Sequence, residues 1–168
     1  MIRTVDTDVG VIAIYVFRRL SASEIWIAFR SGKAFRYIEV YKIAAGLGPE
    51  KSLALPAFHA PTGCDQVLSF YAKGNKPAWD TWNVYEDVTP AFTTLSNNPN
   101  TEAVYESLPL LDRFVVLMYD RTSSCVSASE ARLYLFPTRT RIDAIPPTSA
   151  ALLQHFKRAA YIVGVRPS

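Results

Sequence analysis

The stretch Ile2-Arg3-Thr4-Val5-Asp6-Thr7-Asp8-Val9 decides how the rest of this chain is read. Ile2 to Val5 has the composition of a short buried strand that stops at Asp6. Two carboxylates two residues apart, at the carboxyl end of such a strand, stand where α/β sheets present their ligands. Like charges held together are unfavourable unless a cation neutralises them or one is protonated. A hard divalent ion with oxygen ligands, Mg²⁺ or Mn²⁺, is the ordinary answer, and it keeps waters and a substrate phosphate in its shell. The same residues also suit a plainer role, with Asp6 capping the next helix and Asp8 complementing its dipole. Taken alone, the motif does not separate the two.

Outward from it, Val9 to Phe17 is apolar and β-branched, and its place after an acidic turn favours a helix running on to Leu20. Ile25 to Phe29 and the alternating run Ala34 to Val40, separated by Arg30-Ser31-Gly32-Lys33, predict a hairpin. Tyr41 to Leu47 predicts a short helix closed by Gly48-Pro49. From there the pattern is helical. Ser52 to Ala60 is an apolar segment, a helix begins near Pro77, and Thr89-Pro90 has the form of an N-cap followed by a first-turn proline. Leu108, Leu111, Val115, Met118 and Tyr119 recur at helical spacing, Ser127 to Glu130 matches a capping box, and Leu152, Phe156, Ala159 and Val163 share one helix face. The expectation is one α/β domain over residues 1–168, a few strands followed by a mostly helical array.

A second acidic cluster, Gly63-Cys64-Asp65, ends the apolar segment and precedes Phe70 and the turn Ala72-Lys73-Gly74-Asn75-Lys76-Pro77-Ala78. Asp65 would be costly to bury unpaired, and it also suits an N-cap. The basic turn that opens a helix at Pro77 is suited to a phosphate, through free amides and ammonium groups. Taken together, in this order and register, the clusters resemble the PIN-like superfamily of flap-endonuclease-type nucleases. In that family Asp-x-Asp at a strand end is followed by Gly-[Cys/Ser]-Asp, and then by a glycine- and lysine-bearing loop of a helix-turn-helix. Across nearly its whole length the chain also resembles a group of uncharacterised animal proteins, through Phe35 to Ile38, Ala45 to Pro49, Leu55 to Ala60, Leu111 to Ser124 and Pro146 to Tyr161.

The resemblance implies a partial PIN-like fold with a helix-turn-helix loop. It implies that Asp6, Asp8 and Asp65 are catalytic, metal-binding carboxylates for Mg²⁺ or Mn²⁺, and that Lys73, Gly74 and Lys76 hold the phosphate backbone of DNA or RNA. The implied chemistry is two-metal phosphodiester hydrolysis. The chain departs from the family loop at Ala72 and Asn75, and Pro77 removes an amide from the helix start. The family's other acids come from an N-terminal half, so this chain is expected to be the C-terminal half, impaired in isolation and completed by another chain or segment. A non-catalytic nucleic-acid-binding or protein-interaction module on the same fold is the alternative. Asp6-Thr7-Asp8-Val9 also fits the signature of haloacid-dehalogenase-like phosphatases, but the acid that family needs four residues after its later aspartate is here Ser69.

Totals narrow the setting. A charge of +3 tolerates a polyanionic partner without demanding one. Cys64 and Cys125 make no disulfide framework, and no apolar run approaches the roughly 20 residues of a membrane span. An intracellular protein of the nucleus or cytoplasm, with no membrane partner, is the expectation. His59 is expected to pack near Cys64, but two histidines and two cysteines without close spacing make a poor zinc motif, and His59 and His155 read as core or boundary residues. Trp26, Trp79 and Trp82 read as packing residues, and Arg139, Arg141, Lys157 and Arg158 as solvated surface.

Overall fold

The computed structural model describes residues 1–31, 34–63 and 75–165. Strand β1 (Ile2–Thr4) leads through helix α1 (Thr7–Phe17) to β2 (Trp26–Ser31) and β3 (Ala34–Glu39). Six helices follow: α2 (Val40–Gly63), α3 (Asn75–Val84), α4 (Thr89–Asn97), α5 (Thr101–Tyr119), α6 (Ala128–Leu135) and α7 (Ser149–Val165). Short 3-10 turns at Glu86–Val88 and Ile142–Ala144 join α3 to α4 and precede α7. The described chain is therefore mixed α/β and mostly helical.

The sheet order is β1-β2-β3, parallel between β1 and β2 and antiparallel between β2 and β3. Residues opposite one another share a face. Ile27 opposite Ile38, with Phe29 two residues on, points into the core formed by α1 and α2. β1 is a strand at the sheet edge rather than the buried strand its composition suggested. Ile2 is 38% exposed and Val5 69% exposed, because among the described residues β1 pairs on one side only and apolar residues alone do not create a second neighbour.

Helix α2 is the centre of the molecule, touching α1, α3, α4, α7 and β2. Two helical segments meet in it at Gly48, whose φ of 77° is open to glycine at little cost. The predicted Gly48-Pro49 stop is thus a kink, and the apolar segment beyond it is helix to Gly63. Ser52 Oγ straddles the kink, donating to Gly48 O at 2.6 Å and to Ala44 O at 3.3 Å. Pro56 and Pro61 lie inside the buried half and break the regular ladder. There the Ala57 amide donates instead to Ser96 Oγ of α4 (3.1 Å), and Thr62 Oγ1 donates to Phe58 O (2.7 Å). Phe58, Trp79, Trp82 and Phe92 interlock beside it at ring-centroid distances from 4.5 to 5.8 Å.

The later helices are fixed by polar joints within apolar surroundings. Buried Asp112 of α5 accepts from the Ala128 amide at the start of α6 and from Ser149 Oγ of α7, both at 2.8 Å. Ser127 Oγ accepts from the Glu130 amide, as a capping box requires, but Glu130 Oε2 reaches back to the Val126 amide. Thr89 does not cap α4 as expected. It is the first residue of that helix, and its hydroxyl accepts from Trp82 Nε1 at 2.9 Å, because the indole is fully buried and needs that partner.

Trp82→Ala is expected to destabilise the fold by about 3–5 kcal/mol, whereas Leu133→Ala, at a side chain 76% exposed, changes it by no more than about 0.5 kcal/mol. Urea denaturation followed by far-ultraviolet circular dichroism measures both. His155, whose Nε2 meets Pro61 O at 3.2 Å, is pushed below the ordinary imidazole range chiefly by burial. The folded state therefore prefers the neutral ring, and its contribution is complete above the ordinary value of 6.5 and lost as pH falls below it. Melting temperatures across that window should fall less steeply in His155→Gln than in the natural chain.

Candidate functional site

The site forms where β1 ends and α1 begins. The Asp6 amide donates to Thr4 Oγ1 at 3.0 Å, and Asp6 Oδ1 accepts from the Asp8 amide at 2.9 Å. Asp6 is the N-cap of α1, with extended backbone angles and a side chain that satisfies one of the orphan amides of the first turn. That carboxylate is exposed, and one of its oxygens is committed to the cap.

Asp8 stands in the first turn of α1, two residues on, with its side chain 28% exposed. Its Oδ1 stands 2.7 Å from Nε2 of His59, a residue 51 positions later on the buried half of α2. An ionised carboxylate only accepts, so Nε2 carries the hydrogen in this pair. The His59 side chain is 11% exposed and follows Phe58, which packs against Trp82 in the aromatic cluster. Sequence reasoning placed His59 near Cys64 as a packing residue and missed its partner. A single histidine in an otherwise apolar, proline-bearing helix was the available signal, but the identity of the partner is a matter of how α1 crosses α2.

The rest of the predicted site is divided. Cys64, Asp65, Lys73 and Gly74 lie outside the described residues, as does most of the expected helix-turn-helix loop. Lys76 is described in the first turn of α3, with its side chain 85% exposed and its ammonium 2.9 Å from Asp80 Oδ2, an i,i+4 pair. Such exposed pairs contribute about 0.3–0.5 kcal/mol, too little to keep the ammonium from a phosphate. Arg141 pairs with Asp143, and Lys157 Nζ donates to Tyr105 OH at 2.9 Å, which fits the surface role expected of that basic group. Cys125 is a free, buried thiol.

Asp6 and Asp8 are oxygen donors of the type a hard divalent ion takes, while the helix start beside them favours anions rather than a cation. Among the described residues no group of three or more His, Cys, Asp or Glu side chains stands together as a metal cluster. Among the described residues no helix is long and apolar enough to cross a membrane.

If the Asp6 side chain acts through its cap bond, Asp6→Ala lowers stability by about 1 kcal/mol while Asp6→Ser, which can still accept from the helix amide, preserves most of it. Thermal unfolding of the two variants checks this.

Compared with family models, with curated proteins and with solved structures, the chain matches none.

Proposed function

We propose that the chain corresponds to the C-terminal half of a PIN-like, flap-endonuclease-type domain. Its Asp6, Asp8 and Asp65 would bind Mg²⁺ or Mn²⁺ for hydrolysis of phosphodiester bonds in DNA or RNA, inside the nucleus or cytoplasm. One observation carries this reading: the 2.7 Å contact between Asp8 and His59. It sets the end of α2 against the start of α1. Gly63, one helical turn after His59, is the last residue before Cys64-Asp65. The described end of α2, which leads into Cys64-Asp65, thus lies against the start of α1, although 51 positions separate Asp8 from His59.

The ion, when bound, would activate a water and steady the leaving oxygen. The protein's own residues do the positioning. His59 donates to Asp8 and holds that carboxylate in one orientation, as residues behind a metal ligand commonly do. The start of α1 favours an anionic phosphate through its dipole. Lys76, with Lys73 and Gly74, would hold the backbone of the bound strand. A non-catalytic nucleic-acid-binding or protein-interaction module on the same fold is the second reading. It is favoured by the cap bond of Asp6, which accounts for that carboxylate without an ion.

Calorimetric titration with Mn²⁺ and cleavage of flap and single-stranded substrates test the proposal together. The natural chain should bind Mn²⁺, Asp8→Ala and Asp65→Ala should lose that binding, and His59→Gln should weaken it about 10–100-fold. Cleavage by the isolated chain should be slow and Mn²⁺-dependent. Mn²⁺ binding and cleavage that survive both aspartate substitutions would overturn the metal-site reading, and Mn²⁺-independent nucleic-acid binding without cleavage would favour the second.

A further inference from the structure

A cavity of about 610 Å³ opens beside the middle of α5, and its lining shares no residue with the Asp6 and Asp8 site. Tyr105, Leu108, Pro109 and Arg113, spaced to share one face of α5, form one wall. Tyr85 and Val126 join them from the segments just before the 3-10 turn at Glu86 and the cap of α6. The lining is mostly apolar, and Arg113 is half-buried in it. Arg113 Nη1 donates to Ser123 O at 2.7 Å and to Cys125 O at 2.6 Å, which fixes the guanidinium. Its Nε and Nη2 donate to no described residue, and among the described residues no carboxylate forms an ion pair with it. The half-buried Tyr85 hydroxyl likewise has no hydrogen-bond partner among the described residues. Burial pushes that hydroxyl above the ordinary phenol range, exposed Asp87 adds to the push, and the Arg113 charge opposes it, so guanidinium and hydroxyl stand within electrostatic reach. Asp112, also in the lining, is already engaged by the Ala128 amide and Ser149 Oγ.

We propose that this cavity binds a small carboxylic acid with an apolar body, its carboxylate on Arg113 and the Tyr85 hydroxyl and its body along Leu108, Pro109 and Val126. A mostly apolar cavity in which a few polar groups converge is the usual form of a small-molecule site. The polar groups decide the class of ligand. With Nη1 committed to two carbonyls, Nε and Nη2 are the remaining donors of Arg113, and they lie along one edge of the guanidinium as two parallel N–H groups. A carboxylate matches that edge with two hydrogen bonds, which a lone hydroxyl or carbonyl oxygen cannot do. A partly buried guanidinium also gains most from an anionic partner, because it has already lost part of its hydration. One negative charge suits the cavity better than two. Asp112 brings one already, and Lys157, which donates to Tyr105 OH at 2.9 Å, balances it from the Tyr105 end. A dianion would leave charge unneutralised against an apolar wall. The C-terminal carboxylate of a peptide offers the same group, and the experiment separates it from a free acid.

Isothermal titration calorimetry on the full chain tests this with octanoate, 4-phenylbutyrate, the neutral octanamide, octylphosphonate and a leucine-ended tetrapeptide. Both acids should bind, and octanamide should bind about tenfold more weakly than octanoate. Arg113→Lys keeps the charge but loses the fork, and should weaken octanoate about tenfold. Tyr85→Phe should weaken it about fivefold. Because Arg113 also holds Ser123 O and Cys125 O, a second pair of variants leaves the fold alone. Val126 is 71% exposed, so Val126→Glu, which places a negative charge at the rim, should weaken octanoate about fivefold, and Val126→Lys should not weaken it. Leu133→Ala, on α6 and outside the lining, should change nothing. No binding of either acid, octanamide binding as tightly as octanoate, or equal affinity for octanoate in Val126→Glu and Val126→Lys would overturn the proposal. Tighter binding of octylphosphonate than of octanoate would overturn the single-charge assignment. Tighter binding of the tetrapeptide than of both acids would overturn the small-molecule assignment.

Discussion

The second half of α2 is buried on all sides and carries two prolines, and the rest of the structure answers to that combination. A regular helix satisfies its own backbone and needs only apolar neighbours. A buried helix broken at Pro56 and Pro61 needs polar neighbours at set places, because unpaired backbone groups are costly away from water. Ser96 reaches in from α4 to the Ala57 amide, His155 reaches in from α7 to Pro61 O, and Thr62 turns back to Phe58 O. The first two contacts fix α4 and α7 against α2 with a precision that apolar packing alone does not impose, and the third stays within α2.

His59 belongs to the same constrained segment. Phe58 packs among Trp79, Trp82 and Phe92, and His59, the next residue, meets Asp8 of α1. The candidate site thus inherits its rigidity from the core: Asp8 is oriented by a histidine whose backbone is held by the aromatic cluster. Asp6 is oriented differently, by its own helix start, which is a local device and independent of α2. Two carboxylates two residues apart consequently have different supports, one local and one tertiary.

Much of the element pattern was legible in the sequence, because it rests on local chemistry. The hairpin of β2 and β3, the break at Gly48-Pro49, the apolar faces of α5 and α7 and the Ser127 cap all follow from periodicity, turn residues and side chains that reach their own backbone. The misreadings have a common origin. β1 was expected to be buried because Ile2 and Val5 are apolar, and Thr89 to cap because threonine before proline commonly does. In both cases the outcome was decided by a neighbour: the one strand that pairs with β1, and the indole of Trp82 that takes the Thr89 hydroxyl.

The acidic motif with which the sequence opens shows the same division. By itself the sequence determined that Asp6 would begin a helix and that Asp8 would stand in its first turn, since capping needs only residues within reach along the chain. Only the tertiary structure decided that Asp8 meets His59, and that β1 pairs with β2 in the register that sets Thr4 opposite Phe29. Those relations join residues far apart in sequence, and they depend on how α1 crosses α2 and on strand register, which no local pattern specifies.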